Sequence, residues 1–202
     1  MKITELEKDL KAIHDKDKNI SFHKRNITLL HEEVRKLLKK NIILSFSGNC
    51  EKIAIELKSA IDIKTYPNLF RDVLLLLNVF QSISEVHNFR LILETINTNM
   101  CRRFHADMNE LRLLCTYSGP GTLWLSDDNV NREALNSGNS NESIVLNADN
   151  IHQAEIGEVL ILKGSRYPLK GTNPIVHRSP SIEDRQEKRL LLRIDLNESL
   201  KF

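Results

Sequence analysis

From residue 88 to residue 196 the chain is cut into short β-rich runs, and this limits the folds open to it more than any other feature. Residues 88–96, 111–117, 122–125, 158–163, 174–177 and 189–196 carry the apolar and β-branched patterning of strands. Turn residues separate them: Gly119-Pro120-Gly121, the polar stretch 136–141, Gly157, Gly164, Gly171-Thr172-Asn173 and Ser179-Pro180. No single short strand can bury its own apolar face. Many of them between tight turns predict a sandwich or barrel, the jelly-roll and cupin architecture included.

The first 87 residues read differently. Residues 3–14 suggest a short, weakly amphipathic helix. After Asn26, a candidate cap, Leu29, Leu30, Val34, Leu37 and Leu38 recur at helical spacing. Residues 42–46 predict a short buried strand ended by Ser47-Gly48, residues 51–61 another helix, and Pro67-Asn68 opens a strongly apolar helix through Phe80. The expected class is therefore α+β. A mainly helical region, 1–87, would pack on a β-barrel core, 88–202, in one compact unit, as the length of 202 residues allows.

Bulk properties exclude several function classes. The formal charge of +2 is too mild to argue for nucleic acid or a membrane surface. No apolar run approaches the roughly 18 residues a membrane span needs. The opening MKITELEKDL lacks the apolar core of a signal peptide, and Cys50, Cys101 and Cys115 are odd in number and widely spaced, so no disulfide framework is implied. A cytoplasmic protein is the natural expectation.

Chemistry concentrates in two motifs, Phe104-His105-Ala106-Asp107 and Val176-His177-Arg178-Ser179-Pro180. Side chains on a strand alternate between faces, so His105 and Asp107 point the same way. His177, arriving from a distant strand, would complete two imidazoles and one carboxylate. This set suits Fe(II) and leaves coordination positions open for substrate and oxygen. Each motif alone also suits a plain role: a surface His beside a loop aspartate, and a hydrogen-bonded rim His. Arg112, Thr116 and Tyr117 follow on the next strand and offer groups able to orient a carboxylate-bearing ligand, although packing there is an equal alternative. Arg189 and Arg193 share one face of the last strand, where they serve either as anion ligands or as solvated edge charges. The polar segment 136–142 reads as a mobile loop placed to cover a barrel mouth, and Trp124 as core. Cys101 and Cys115 near His105 allow a mixed Cys/His zinc site, though their spacing matches no strong zinc signature. No nucleophile elbow or phosphate-binding glycine loop occurs.

The runs Cys101-Arg-Arg-Phe-His-Ala-Asp107, Arg112-Leu-Leu-Cys-Thr-Tyr-Ser-Gly-Pro-Gly-Thr-Leu-Trp-Leu125, Leu162-Lys-Gly164, His177-Arg-Ser-Pro180 and Arg189-Leu-Leu-Leu192 resemble the bacterial domain of unknown function 1826 over about residues 90–196. Its pattern is similar to that of Fe(II)/2-oxoglutarate oxygenases and cupins. The resemblance implies a double-stranded β-helix in which an early HxD and a late His hold the metal. It further implies that a basic residue about a dozen positions after the late His, Arg189 before Arg193, grips the distal carboxylate of 2-oxoglutarate, for which a planar guanidinium is suited. The expected function is an Fe(II)- and 2-oxoglutarate-dependent oxygenase of an unknown small-molecule or protein substrate. The rival is a non-catalytic cupin-like metal-binding protein of zinc or iron homeostasis, with Zn as the alternative ion.

Overall fold

The computed structural model describes residues 3–168 and 171–196. The site depends on two facing antiparallel sheets. The larger is built from β1 (Ile20–His23), β2 (Ile43–Gly48), β3 (Phe89–Ile96), β4 (Leu111–Ser118), β7 (Val159–Lys163) and β9 (Arg189–Leu196), in the order β1-β7-β4-β9-β3-β2. The smaller holds β5 (Leu123–Leu125), β6 (His152–Gln153) and β8 (Val176–Arg178), in the order β6-β5-β8. All strand pairs are antiparallel.

Strand alternation gives the larger sheet two chemically distinct faces. Leu91, Leu93, Leu113, Cys115, Tyr117, Ile161, Leu190, Leu192 and Ile194 point to one face. Four helices supply the rest of that core: α1 (Ile3–Lys11), α2 (His31–Lys40), α3 (Cys50–Ala60) and α4 (Pro67–Ser84). Helix α4 is the main cover, burying Leu69, Val73, Leu76, Leu77, Phe80 and Ile83 at its helical repeat. Pro67 occupies its first turn, and the buried Glu33 carboxylate caps it by accepting from the Asn68 and Leu69 amides at 3.1 and 2.7 Å. No helix among the described residues is long and apolar enough to cross a membrane. Leu114, Leu160, Leu162 and Leu191 occupy the other face and pack toward the smaller sheet.

Several expectations change. Residues 42–46 are not a buried strand. The strand begins at Ile43, forms the edge of the sheet, and leaves Ile43 74% exposed, because nothing among the described residues covers the site face at that edge. Leu29 fits the helical spacing but precedes α2 in a 3-10 turn and is 84% exposed. Strand β1 lies in a stretch that carries no strong strand pattern, and it forms the opposite edge of the sheet. Strands from the first 87 residues therefore hold both ends of the larger sheet.

The polar segment 136–142 is a brace rather than a lid. It joins α5 (Arg132–Asn136) to α6 (Asn141–Ile144). Arg103 donates to the Leu135 and Asn139 carbonyls, and the Asn141 side chain bonds both the Phe104 amide and the Arg102 carbonyl. Phe104, Leu125, Val130, Ala134, Ile144 and Val176 form a small core there, behind the smaller sheet.

Candidate metal centre

His177 is the central residue of β8, whose neighbours Val176 and Arg178 face the brace by alternation. His105 is locked to it by an isolated antiparallel bridge in which each amide donates to the other's carbonyl at 3.0 Å. The imidazoles consequently lie side by side, ring centroids 4.7 Å apart. Asp107 sits beneath both, its oxygens 3.7 Å from His105 Nε2 and 3.4 Å from His177 Nε2. One ligand atom from each of the three falls within 4.8 Å of the others. This spacing lets one ion touch all three at ordinary bond lengths of roughly 2 Å.

The surroundings prepare these groups for a cation. His105 Nδ1 lies 2.9 Å from the Arg103 carbonyl, which can only accept, so Nδ1 carries the proton and Nε2 presents its lone pair. Burial of the His177 imidazole, reinforced by His105 and Arg112 and opposed by Asp107, lowers its pKa to about 4. It is a neutral ligand near pH 7. Arg112 holds the Asp107 carboxylate through Nη1 and is itself held by Asp195 Oδ1 at 2.5 Å from Nε. Burial would depress that guanidinium, but Asp195 and Asp107 outweigh it and raise its pKa. Arg193 Nε lies 3.2 Å from the other Asp195 oxygen.

Arg189 is 1% exposed on the site face of β9. Among the described residues its Nη2 reaches two hydroxyls, Thr116 Oγ1 at 3.4 Å and Thr122 Oγ1 at 3.5 Å, and its Nε is unsatisfied. No carboxylate among the described residues pairs with it. Burial lowers its pKa to about 10, with Glu94 pulling the other way. Thr122 also lines the pocket that contains His105 and His177. A buried guanidinium beside two hydroxyls that closes no ion pair among the described residues has the chemistry to bind an anion.

The structure thus brings His105, Asp107 and His177 together and sets Arg189 and Thr116 on the same interior face. Arg112 and Arg193 also face the pocket. Arg112 is not open to a cosubstrate carboxylate, however, because two aspartates already occupy it. Tyr117 does not join the site: it is one residue from Thr116, so alternation turns it to the helical face, where its hydroxyl donates to Asp72 Oδ2 at 2.7 Å. Cys115 faces the same way, and Cys101 lines the pocket without belonging to the three-residue cluster. Glu94 and Asp195 carried no local signal, since each gains its place only through strand register, and neither did Thr122, which lies just before β5 and meets Arg189 of a distant strand.

The family model described as protein of unknown function, DUF1826, matches residues 5–195. The chain belongs to the DUF1826 family. Comparison with characterised protein sequences finds no match. Among solved structures, this DUF1826 chain is similar to the dioxygenase for auxin oxidation 1 from Arabidopsis thaliana, solved as a 2-oxoglutarate complex. The TM-score is 0.56 at 9% identity, covering 97% of this chain and 89% of the other. A Pseudomonas putida prolyl-4-hydroxylase gives 0.53 at 10% identity, covering 95% and 93%. The Fe(II)/α-ketoglutarate-dependent dioxygenase TqaL gives 0.54 at 12%, covering 98% and 88%. At such identities the likeness establishes the fold: mixed helix and antiparallel sheet of the double-stranded β-helix kind.

Proposed function

We propose that this DUF1826 protein is an Fe(II)- and 2-oxoglutarate-dependent oxygenase. The observation that carries the reading is the pairing of two neighbouring features: a His105/Asp107/His177 cluster of facial-triad composition, and a buried Arg189 that closes no ion pair among the described residues and reaches Thr122 of the pocket lined by His105 and His177. A metal site alone would suit storage or sensing as well. A buried guanidinium on the same interior face that closes no ion pair among the described residues suits a second, carboxylate-bearing ligand.

The residues fit that pair of ligands. His105, Asp107 and His177 would hold the ion through three atoms on one side. Arg189, with the Thr116 and Thr122 hydroxyls, would hold the distal carboxylate of the keto acid by charge-assisted hydrogen bonds. Arg112 neutralises Asp107 and fixes the direction of its carboxylate, so the donor atoms need no rearrangement on binding. The hydrophobic wall of Ile96, Leu114 and Leu191 limits water in the pocket. When bound, the metal and keto acid supply the oxidising chemistry: one oxygen atom of O2 goes to succinate as CO2 is lost, the other to the substrate.

The test is anaerobic Fe(II) and 2-oxoglutarate titration of the purified protein, followed by succinate measurement after oxygen is admitted. One Fe(II) per chain and saturable 2-oxoglutarate binding are expected. Absence of both in the folded protein ends the proposal.

A further inference from the structure

Glu94 stands on the site face of β3 and lines the pocket that holds His105 and His177. The other ionic side chains of that pocket are paired: Arg112 with Asp107 and Asp195, Arg193 with Asp195, and both imidazoles with Asp107. Glu94, partly buried, makes no hydrogen bond or ion pair among the described residues. Register places it directly opposite Leu191 of β9, so Arg189 and Arg193 lie on its diagonals without closing an ion pair.

Its immediate neighbours are aliphatic. Leu191 is opposite on one side, the exposed Ile43 of β2 is opposite on the other, and Ile96 is two residues along the strand. The carboxylate therefore stands among aliphatic side chains, between the pocket and the edge strand β2. The far flank of the sandwich is shut: Trp124 packs into the inter-sheet core, His152 stacks on it at 4.0 Å, and Phe22 of the edge strand β1 lies 6.5 Å from it.

We infer that Glu94 recognises the substrate, and that this substrate carries a cation, a primary ammonium or a guanidinium, on an aliphatic stem. For the chemistry after binding, the inference rests on the oxygenase reading. In that reading Arg189 is occupied by the keto acid, and Glu94, whose charge acts on Arg189 only from the diagonal, is left without an ion-pair partner among the described residues. A charged donor would satisfy it by a charge-assisted hydrogen bond while the stem covers Ile43, Ile96 and Leu191. A carboxylate-bearing substrate would meet repulsion at the same wall.

Equilibrium binding to the protein with Fe(II) and 2-oxoglutarate present, under anaerobic conditions, tests this. The probes are lysine, Nα-acetyl-lysine methylamide and a decapeptide with one central lysine. Each is set against its norleucine counterpart, which keeps the stem and lacks the charge. At least one lysine probe should bind about tenfold or more tightly than its norleucine partner, the size expected for a hydrogen bond to a charged group. Which one does so distinguishes a free amine from a peptide side chain. Glu94→Gln should erase the preference. Glu94→Lys should shift it to the glutamate counterpart, a gain that misfolding cannot imitate. Equal binding of lysine and norleucine probes, no binding of any lysine probe, or a preference that survives Glu94→Gln overturns the inference. The readout is binding, so Glu94-dependent capture of lysine by a protein that consumes no 2-oxoglutarate removes the oxygenase reading alone.

Discussion

His105 and His177 are joined through their backbones, amide to carbonyl in both directions at 3.0 Å, and not through their rings. The bridge aligns the two imidazoles whatever the state of the side chains. It therefore separates folding from ligation.

His105→Ala and His177→Ala should keep the bridge and the fold while losing the ion. We predict native-like circular dichroism with Fe(II) stoichiometry well below one per chain, and 2-oxoglutarate turnover reduced by at least about a hundredfold. Retention of parental iron content by both variants would show that the cluster is not a metal centre.

Arg189→Met should separate stability from binding. The guanidinium is buried with no compensating carboxylate, a costly arrangement, so an apolar residue of similar length should leave the metal-free protein as stable as the parent or more so. The rise in Tm that 2-oxoglutarate gives the parent should vanish. A variant that is destabilised by several kcal/mol yet still responds to 2-oxoglutarate contradicts the assignment of Arg189 as the anion receptor.

Tyr117→Phe should do the reverse. Its hydroxyl bonds Asp72, whose carboxylate also takes both Nη atoms of Arg25. Losing one buried hydrogen bond should cost about 1–2 kcal/mol by urea unfolding. Affinity for 2-oxoglutarate should stay within twofold, because the residue lies on the helical side of the sheet. A large fall in that affinity would place Tyr117 back in the site.

The metal-stripped protein should lose stability in acid over a defined window. His177 has its pKa depressed from 6.5 to about 4, with Asp107, His105 and Arg112 as the charged groups around it. Between these values the unfolded chain binds the extra proton, so stability is intact above about pH 6.5 and falls as pH drops toward 4. The loss is on the order of 3 kcal/mol, which pH-dependent urea unfolding of the parent and of His177→Asn would measure. Identical slopes in the two proteins would rule out His177 as their source.

The legible parts of the sequence were those in which a local pattern has a single physical meaning. Turn residues between β-rich runs marked β3, β4, β5, β7, β8 and β9 within a residue or two, and the apolar spacing after Pro67 marked α4. The two histidines and the aspartate stood out because HxD is self-contained within three residues, although the structure sets it in the β3–β4 connection, with only His105 bridged to β8, and not on a strand. Thr116 and Tyr117 show where reading stopped short: period-two alternation forbids adjacent strand residues from sharing a face, so only one could ever line the pocket. Glu94, Thr122 and Asp195 were illegible for another reason. Each meets its neighbours across segments far apart in the chain, which no window of sequence contains. The edge strands β1 and β2 escaped or misled because one is very short and the other exposes the face that periodicity would bury.

The order β1-β7-β4-β9-β3-β2 has a practical corollary for anyone trimming the chain. A fragment starting near residue 88 would keep every proposed ligand, yet β7 and β3 would become raw borders with unmatched amides, and the apolar back of the sheet would face water. Such a truncation should clump rather than bind iron, since the amino-terminal half hems the very fabric in which the three ligands are set.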